Sequence, residues 1–228
     1  MRHYRAAMRL KELDLFVFDL AGTTVRDDGF VQRAFEGAAQ DAGLRTEREW
    51  LRARMGWSKT KVFTDLLERN GQDRGRAPAL VHAFEAHLSA IYTECPITPT
   101  DGAGQAITAL DTAGVTVAFT TGFPRVIMDR ILTTMGWSER PSVASNEVAR
   151  GRPAPDLIRA AMELAGVAEA ERVGAAGDTP SDLEAASRAG CAVIAGLGCG
   201  THTLEELSRH EHTHLATDPL HLVSQLAV

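Results

Sequence analysis

From Gly104 onward the chain alternates two kinds of segment, and this alternation restricts its fold more than any other feature. Short runs rich in Val, Ala, Ile and Thr lie at Val115–Gly122, Arg172–Gly177 and Cys191–Gly196. Between them, Gln105–Ala113, Val126–Met135 and Asp156–Ala165 place apolar residues at helical spacing. Gly114, Gly136, Gly166 and Gly190 stand where helices stop. A strand that rejoins its sheet only after a helix runs parallel to its predecessor. Helices then cover both faces, so the strands read as unbroken apolar runs. Shorter strands are expected near Ser142–Ala144 and Leu215–Ala216, with a last helix at Pro219–Leu226.

One further strand lies far upstream. Leu15-Phe16-Val17-Phe18 is apolar throughout, Asp19 follows at once, and Gly22-Thr23-Thr24 supplies turn chemistry. Taken alone, Asp19 is equally well a cap for the next helix. The next seventy or so residues carry only helical patterns. Phe30–Ala39 stops at Gly43, Glu47–Met55 breaks at Gly56-Trp57, Ser58 caps a helix from Lys59 to Asn70-Gly71, and Pro78 opens the last. Cys95–Gly102 is a linker. The expected fold is therefore α/β: a Rossmann-like parallel-sheet core from residues 1–25 and 99–228, with an inserted all-α cap at 26–98.

The chain has 228 residues, a net charge of −6 and no long basic run, which argues against nucleic acid as a partner. No apolar run reaches membrane-spanning length, and the basic segment Met1–Arg9 lacks the apolar stretch of a signal peptide. Cys95, Cys191 and Cys199 have no metal-site spacing and suit reduced thiols, so a cytoplasmic location is expected. The alternating His210, His212 and His214 suggest zinc only superficially, since no fourth ligand has a defined spacing; an exposed loop or strand edge fits better. Gly196–Gly200 reads as structural turns. Trp50, Trp57 and Trp137 read as packing residues, with Trp57 also a candidate pocket wall.

Chemistry gathers at the strand ends, which in a parallel sheet open on one edge. Asp19 ends the first strand, Thr121-Gly122 the next, and Gly177-Asp178 a third, with Asp182 one helical turn on and Arg152 before a helix. Asp19, Asp178 and Asp182 would repel one another unless a cation joined them. Mg²⁺ suits carboxylate oxygens and keeps part of its water. Mg²⁺ and Arg152 would bind the oxyanions of a phosphoryl group. Thr121 and the backbone after Asp19, at Gly22 and Thr23, would complete the cradle, with Asp19 as nucleophile.

These four elements, in this order around a helical insertion, resemble the haloacid dehalogenase superfamily over nearly the whole chain. The resemblance implies that Asp19 forms an aspartyl-phosphate, that Thr121 or its neighbour Thr120 binds phosphate beside Gly122, and that the first strand lies centrally. It also implies that Asp19, Asp178 and the backbone carbonyl of Ala21 hold Mg²⁺, and that Asp182 is a second acidic position that holds the metal or its water. Phosphatases of the superfamily carry a second Asp two residues after the nucleophile, which protonates the leaving alkoxide. Ala21 stands there instead and moves no proton.

Asp-Leu-Ala-Gly-Thr-Thr resembles the phosphonoacetaldehyde hydrolase family within that superfamily. There a cap lysine forms a Schiff base with an aldehyde, the carbon–phosphorus bond breaks, and carbon leaves as an enamine that needs no proton from the Ala21 position. Met55-Gly56-Trp57-Ser58-Lys59 and Gly151-Arg152-Pro153 match its cap and arginine motifs. Lys59 is one of only three lysines among 24 basic residues. At the start of a helix its ammonium form is disfavoured, as an imine-forming amine requires, whereas the competing reading is a solvated cap lysine. Lys61 points to the other side of the helix. Val62 and Phe123 replace a histidine and a tyrosine of the family pattern. The implied substrate is phosphonoacetaldehyde or a related 2-oxoalkylphosphonate. A phosphatase for acyl-type phosphates and a silent phosphoryl-ligand binder are the alternatives, and a homodimer is compatible with either.

Overall fold

Two buried faces on a single central strand organise the molecule. The structure, a computed structural model, describes residues 9–227; Met1–Met8 and Val228 lie outside the described residues. In β1 (Leu15–Asp19), Leu15 and Val17 enter one apolar cluster, and Phe16 and Phe18 enter another on the opposite face. This period of two with both faces apolar is what a covered parallel strand requires. The other strands are β2 (Thr116–Thr121), β3 (Ser142–Ala144), β4 (Val173–Gly177), β5 (Val193–Leu197) and β6 (His214–Ala216). They form a six-stranded parallel sheet in the order β3-β2-β1-β4-β5-β6.

The order places β1 between β2 and β4 and pairs Asp19 directly with Thr120. Four helices α1 (Phe30–Asp41), α2 (Arg48–Arg52), α3 (Lys59–Arg69) and α4 (Ala77–Glu94) form the insertion. Around the sheet stand α5 (Ala103–Thr112), α6 (Arg125–Met135), α7 (Asp156–Ala165) and α8 (Pro180–Ala189), followed by α9 (Leu204–Leu207) and α10 (Pro219–Leu226). Helices α7 and α8 pack on the Leu15/Val17 face, and α5, α6 and α10 on the Phe16/Phe18 face. Among the described residues no helix is long and apolar enough to cross a membrane.

The insertion is joined to the sheet layer by two chain segments lying side by side. The Arg26 amide donates to the Thr98 carbonyl (3.0 Å) and the Thr100 amide to the Thr24 carbonyl (3.0 Å). Inside the insertion Phe35 sits 4.7 Å from Phe84 and 5.0 Å from Phe63, ring centre to ring centre. Phe84 continues to Phe123 of the sheet layer at 6.3 Å, so the apolar core runs across the junction.

Two local features depart from the pattern in the sequence. Helix α2 ends at Arg52 rather than near Met55, because Met55–Trp57 turns across the sheet layer, with Gly56 in the left-handed region (φ +83°). The one-turn α9 carries too few residues for a periodic signal. It forms on a Thr203 cap, whose hydroxyl accepts from the Glu206 amide (3.2 Å).

Candidate active site

Asp19 sits at the carboxyl end of β1 with only 6% of its surface exposed. The turn after it closes on Leu20 and Val25: the Gly22 amide donates to the Val25 carbonyl (2.7 Å), and the Thr24 hydroxyl to the Asp19 carbonyl (2.8 Å). Gly22 has φ +84°, and a Cβ there would stand 2.5 Å from Asp178 Oδ2. Only glycine permits that turn and that approach. Asp178 follows β4 directly, accepts from the Thr23 hydroxyl (3.2 Å), and accepts from the Thr201 amide on its other oxygen (2.6 Å).

Arg152 reaches across this edge, 4% exposed. Its Nη1 lies 2.5 Å from Asp19 Oδ1 and 2.8 Å from Asp182 Oδ1, and its Nη2 donates to the Thr120 hydroxyl at 2.6 Å. Asp182 is held from its other side by the Thr179 amide (3.0 Å) and hydroxyl (2.6 Å), the cap of α8. Thr121 faces the cavity, and its hydroxyl accepts from the Phe123 amide at 3.2 Å. The two threonines therefore divide the work: Thr120 meets Arg152, whereas Thr121 lines the cavity with Gly122.

Lys59 opens α3 and is 3% exposed, so the solvated reading of this residue does not hold. Its Nζ lies 4.9 Å from the Phe123 ring centre, 5.2 Å from Phe35 and 5.6 Å from Phe84, and donates to the Trp57 carbonyl at 3.4 Å. Aromatic faces stabilise a cation that has lost its water. Burial nonetheless dominates and lowers the amine's pKa from 10.5 to about 8; the Asp19 charge opposes the shift and Arg152 adds to it. Lys61 is 57% exposed and pairs with Asp65 at 2.5 Å on the far side.

Asp19, Ala21, Lys59, Thr121 and Asp178 line one small cavity of about 20 Å³, room for little more than a water molecule or an ion. Burial raises Asp19 to a pKa of about 6, against the pull of Arg152. Burial, then the charges of Asp19 and Asp182, raises Asp178 to about 8. Two buried carboxylates thus face each other with too little positive charge, and a divalent cation with Ala21 as a carbonyl ligand fits that deficit. Asp182 stands apart from the other two carboxylates. Its oxygens are taken by Arg152 and Thr179, and it does not line the cavity. Among the described residues no group of three or more His, Cys, Asp and Glu side chains is arranged to hold a metal, so most of a cation's shell would be water or substrate.

Several site residues carry no distinctive signal in the sequence. Gly200 sits against Asp178 and the Gly22 carbonyl too closely for any side chain, although its glycine-rich stretch reads as a turn. The Met55 carbonyl accepts from the Ser181 hydroxyl (3.4 Å), and a Cβ at Gly122 would stand 2.7 Å from the Trp57 carbonyl. The insertion is therefore seated directly on the strand ends. Asp27, just beyond the first strand, also lines the cavity. The His210–His214 stretch lies at the β6 edge, with His212 Nδ1 2.7 Å from the His210 carbonyl. Trp137 stacks on Phe119 at 4.9 Å.

This fold and this site define a hydrolase class. Residues 13–190 match the haloacid dehalogenase-like hydrolase family, and the chain belongs to it. Among curated proteins it is similar to a probable phosphatase, IndB, of Dickeya dadantii, with 30% identity over 86% of each chain. It is also similar to the phosphonoacetaldehyde hydrolase of Bacillus cereus, with 29% identity over 95% of this chain and 86% of that one. Among solved structures, a hydrolase from Pseudomonas syringae superposes with a TM-score of 0.85 at 22% identity, covering 93% of this chain and 97% of that one. A phosphonoacetaldehyde hydrolase-like protein from Oleispira antarctica gives 0.80 at 18% identity, covering 99% and 95%.

Proposed function

We propose that this hydrolase cleaves the carbon–phosphorus bond of phosphonoacetaldehyde or a related 2-oxoalkylphosphonate, with Mg²⁺. The observation that carries the reading is Lys59: an amine shut into an aromatic box, with its pKa lowered to about 8, on the same cavity as Asp19. Relatives named phosphonoacetaldehyde hydrolase support it.

Asp19, Asp178 and the Ala21 carbonyl would hold the cation, which when bound supplies positive charge to the phosphoryl oxygens. Lys59 in its amine form adds to the substrate carbonyl, and loss of water leaves a cationic imine. Asp19 then attacks phosphorus, steered and charge-balanced by Arg152. The electrons of the C–P bond pass into the imine, so carbon departs as an enamine and needs no proton from position 21. Protonation and hydrolysis release the aldehyde from Lys59, and water releases phosphate from Asp19. The cavity of about 20 Å³ is too small for the substrate, so the insertion must lift before binding and reseat for chemistry. A groove of roughly 790 Å³ between insertion and sheet layer shares Lys59 and Arg152 as its wall and offers the route in.

The test offers phosphonoacetaldehyde and Mg²⁺ with and without borohydride. The reading expects substrate-dependent inactivation, with a reduced adduct on Lys59 by mass spectrometry. Phosphate release by Lys59→Arg at the wild-type rate would overturn it. The relative named a probable phosphatase favours a second reading, hydrolysis of activated phosphates; release from acetyl phosphate but not from phosphonoacetaldehyde would select it.

A further inference from the structure

Imine formation needs two proton transfers, one to free the amine and one to expel water, and most side chains around Lys59 cannot make them. Ala21 has no proton to give, and Val62, one turn along α3 from Lys59, is wholly buried and aliphatic. Thr121, which accepts from the Phe123 amide, is an alcohol and too weak a base to take a proton from an ammonium. Asp19 is engaged by Arg152 and is needed for phosphorus.

One titratable side chain on the cavity remains unassigned. Asp27 lines it together with Lys59 and Val31. Its Oδ1 accepts from the Val31 amide at 3.0 Å, which fixes the carboxyl at the head of α1. We propose that Asp27, which makes no direct ion pair with Lys59 but shares its cavity, is the proton-transfer group for Lys59 through one intervening water, accepting a proton from the ammonium and returning it to the carbinolamine hydroxyl that leaves as water. This inference rests on the imine reading above.

The step balances. The Asp27 carboxylate takes one proton from the Lys59 ammonium, and the freed amine adds to the carbonyl carbon. The proton moved from nitrogen to oxygen gives the neutral carbinolamine. The Asp27 carboxyl then protonates that hydroxyl, the C–O bond breaks, and water departs. Lys59 is left as the cationic imine and Asp27 as the carboxylate, ready for the next turnover.

The electrostatics suit the exchange. Burial raises Asp27 above the usual carboxylate value and lowers Lys59, and it outweighs the attraction between their charges, which opposes both shifts. The two proton affinities thereby approach one another, which makes transfer in both directions accessible. Asp28 beside it raises Asp27 slightly, and the Tyr92 phenol of α4 feels the Asp27 charge, with its own pKa held well above the ordinary value by burial. Tyr92 therefore stays protonated and does not compete.

The test isolates the imine step by omitting Mg²⁺ and measuring borohydride trapping of phosphonoacetaldehyde on Lys59. Asp27→Asn keeps an acceptor for the Val31 amide and cannot carry the proton. Its trapping rate should fall roughly a hundredfold or more, as loss of general acid–base catalysis does. Asp27→Ser keeps a short polar side chain and leaves space, so added formate should restore part of its rate, a rescue that a purely structural role would not show. Trapping by Asp27→Asn at the wild-type rate, or Asp27→Ser that is slow and indifferent to formate, overturns the assignment alone. Absence of any adduct in the wild-type protein overturns the imine reading and this inference together.

Discussion

Arg152 and Asp19 meet at 2.5 Å inside the protein, and the same guanidinium nitrogen holds Asp182 at 2.8 Å. One buried cation thus balances two carboxylates, one at the end of β1 and one in the first turn of α8. Removing it leaves both without a countercharge in a dry environment, where breaking a buried pair costs about 3–5 kcal/mol. Arg152→Ala should lose about that much stability in urea unfolding. Arg152→Lys should recover part of the stability and little of the activity, because a single ammonium cannot meet Asp19, Asp182 and the Thr120 hydroxyl in one plane.

Lys59 imposes a cost on the fold that depends on pH. Its folded pKa of about 8 lies below the unfolded 10.5. The unfolded chain therefore binds more protons between those values, and stability rises with pH across that window. Below pH 8 the full penalty is present. Lys59→Met keeps the apolar stem against Phe35, Phe84 and Phe123 and removes the charge. It should stabilise the protein at pH 7 by about 1–3 kcal/mol, after allowing for lost cation–π attraction. The gain should shrink toward zero above pH 10.5, as followed by urea midpoints, while phosphate release is abolished.

The seat of the insertion is a backbone contact. A Cβ on Gly122 would stand 2.7 Å from the Trp57 carbonyl and 2.9 Å from that of Gly56. Neither carbonyl is the tip of a flexible side chain, so the loop must lift. Gly122→Ala should keep its melting temperature within a few degrees of wild type yet lose roughly a hundredfold in turnover, as small misplacements of reacting groups do. Lys59 should also become accessible to acylating reagents, read by mass spectrometry.

Asp178 links proton and metal. Its pKa of about 8, against 3.8 unfolded, means the metal-free folded protein holds an extra proton between those values, so its stability falls as pH rises through them. A divalent cation replaces that proton. Mg²⁺ should therefore raise the melting temperature more at pH 8 than at pH 5, with about 2.7 kcal/mol of stabilisation at a hundredfold excess over its Kd. Asp178→Asn should remove the metal response and most of the underlying pH dependence, with calorimetry as the check.

Much of this site was legible in the chain because strand ends in a parallel sheet share an edge. Asp19, Thr121 and Asp178 each follow an apolar run, so their convergence follows from topology. The identity of Arg152 was legible as a motif, but its partners were not. Asp182 reads as one more acidic position for a metal or its water, and its span from Arg152 to its own helix cap is visible only in the structure. The glycines divide the same way. Gly22 belongs to a turn visible in the sequence, whereas Gly200, some 180 residues later, is needed only because its backbone passes beside Asp178.

By itself, then, the sequence determined the alternation of strands and helices, the insertion after the first strand, and the residue types at each strand end. Those follow from local periodicity and turn chemistry, which a linear chain records directly. Tertiary structure alone decided that Lys59 is buried under three phenylalanine rings from α1, α4 and the end of β2, and that Asp27 shares its cavity. Burial and proximity across the fold set an amine's proton affinity, and neither is a property of the residues beside it in the chain.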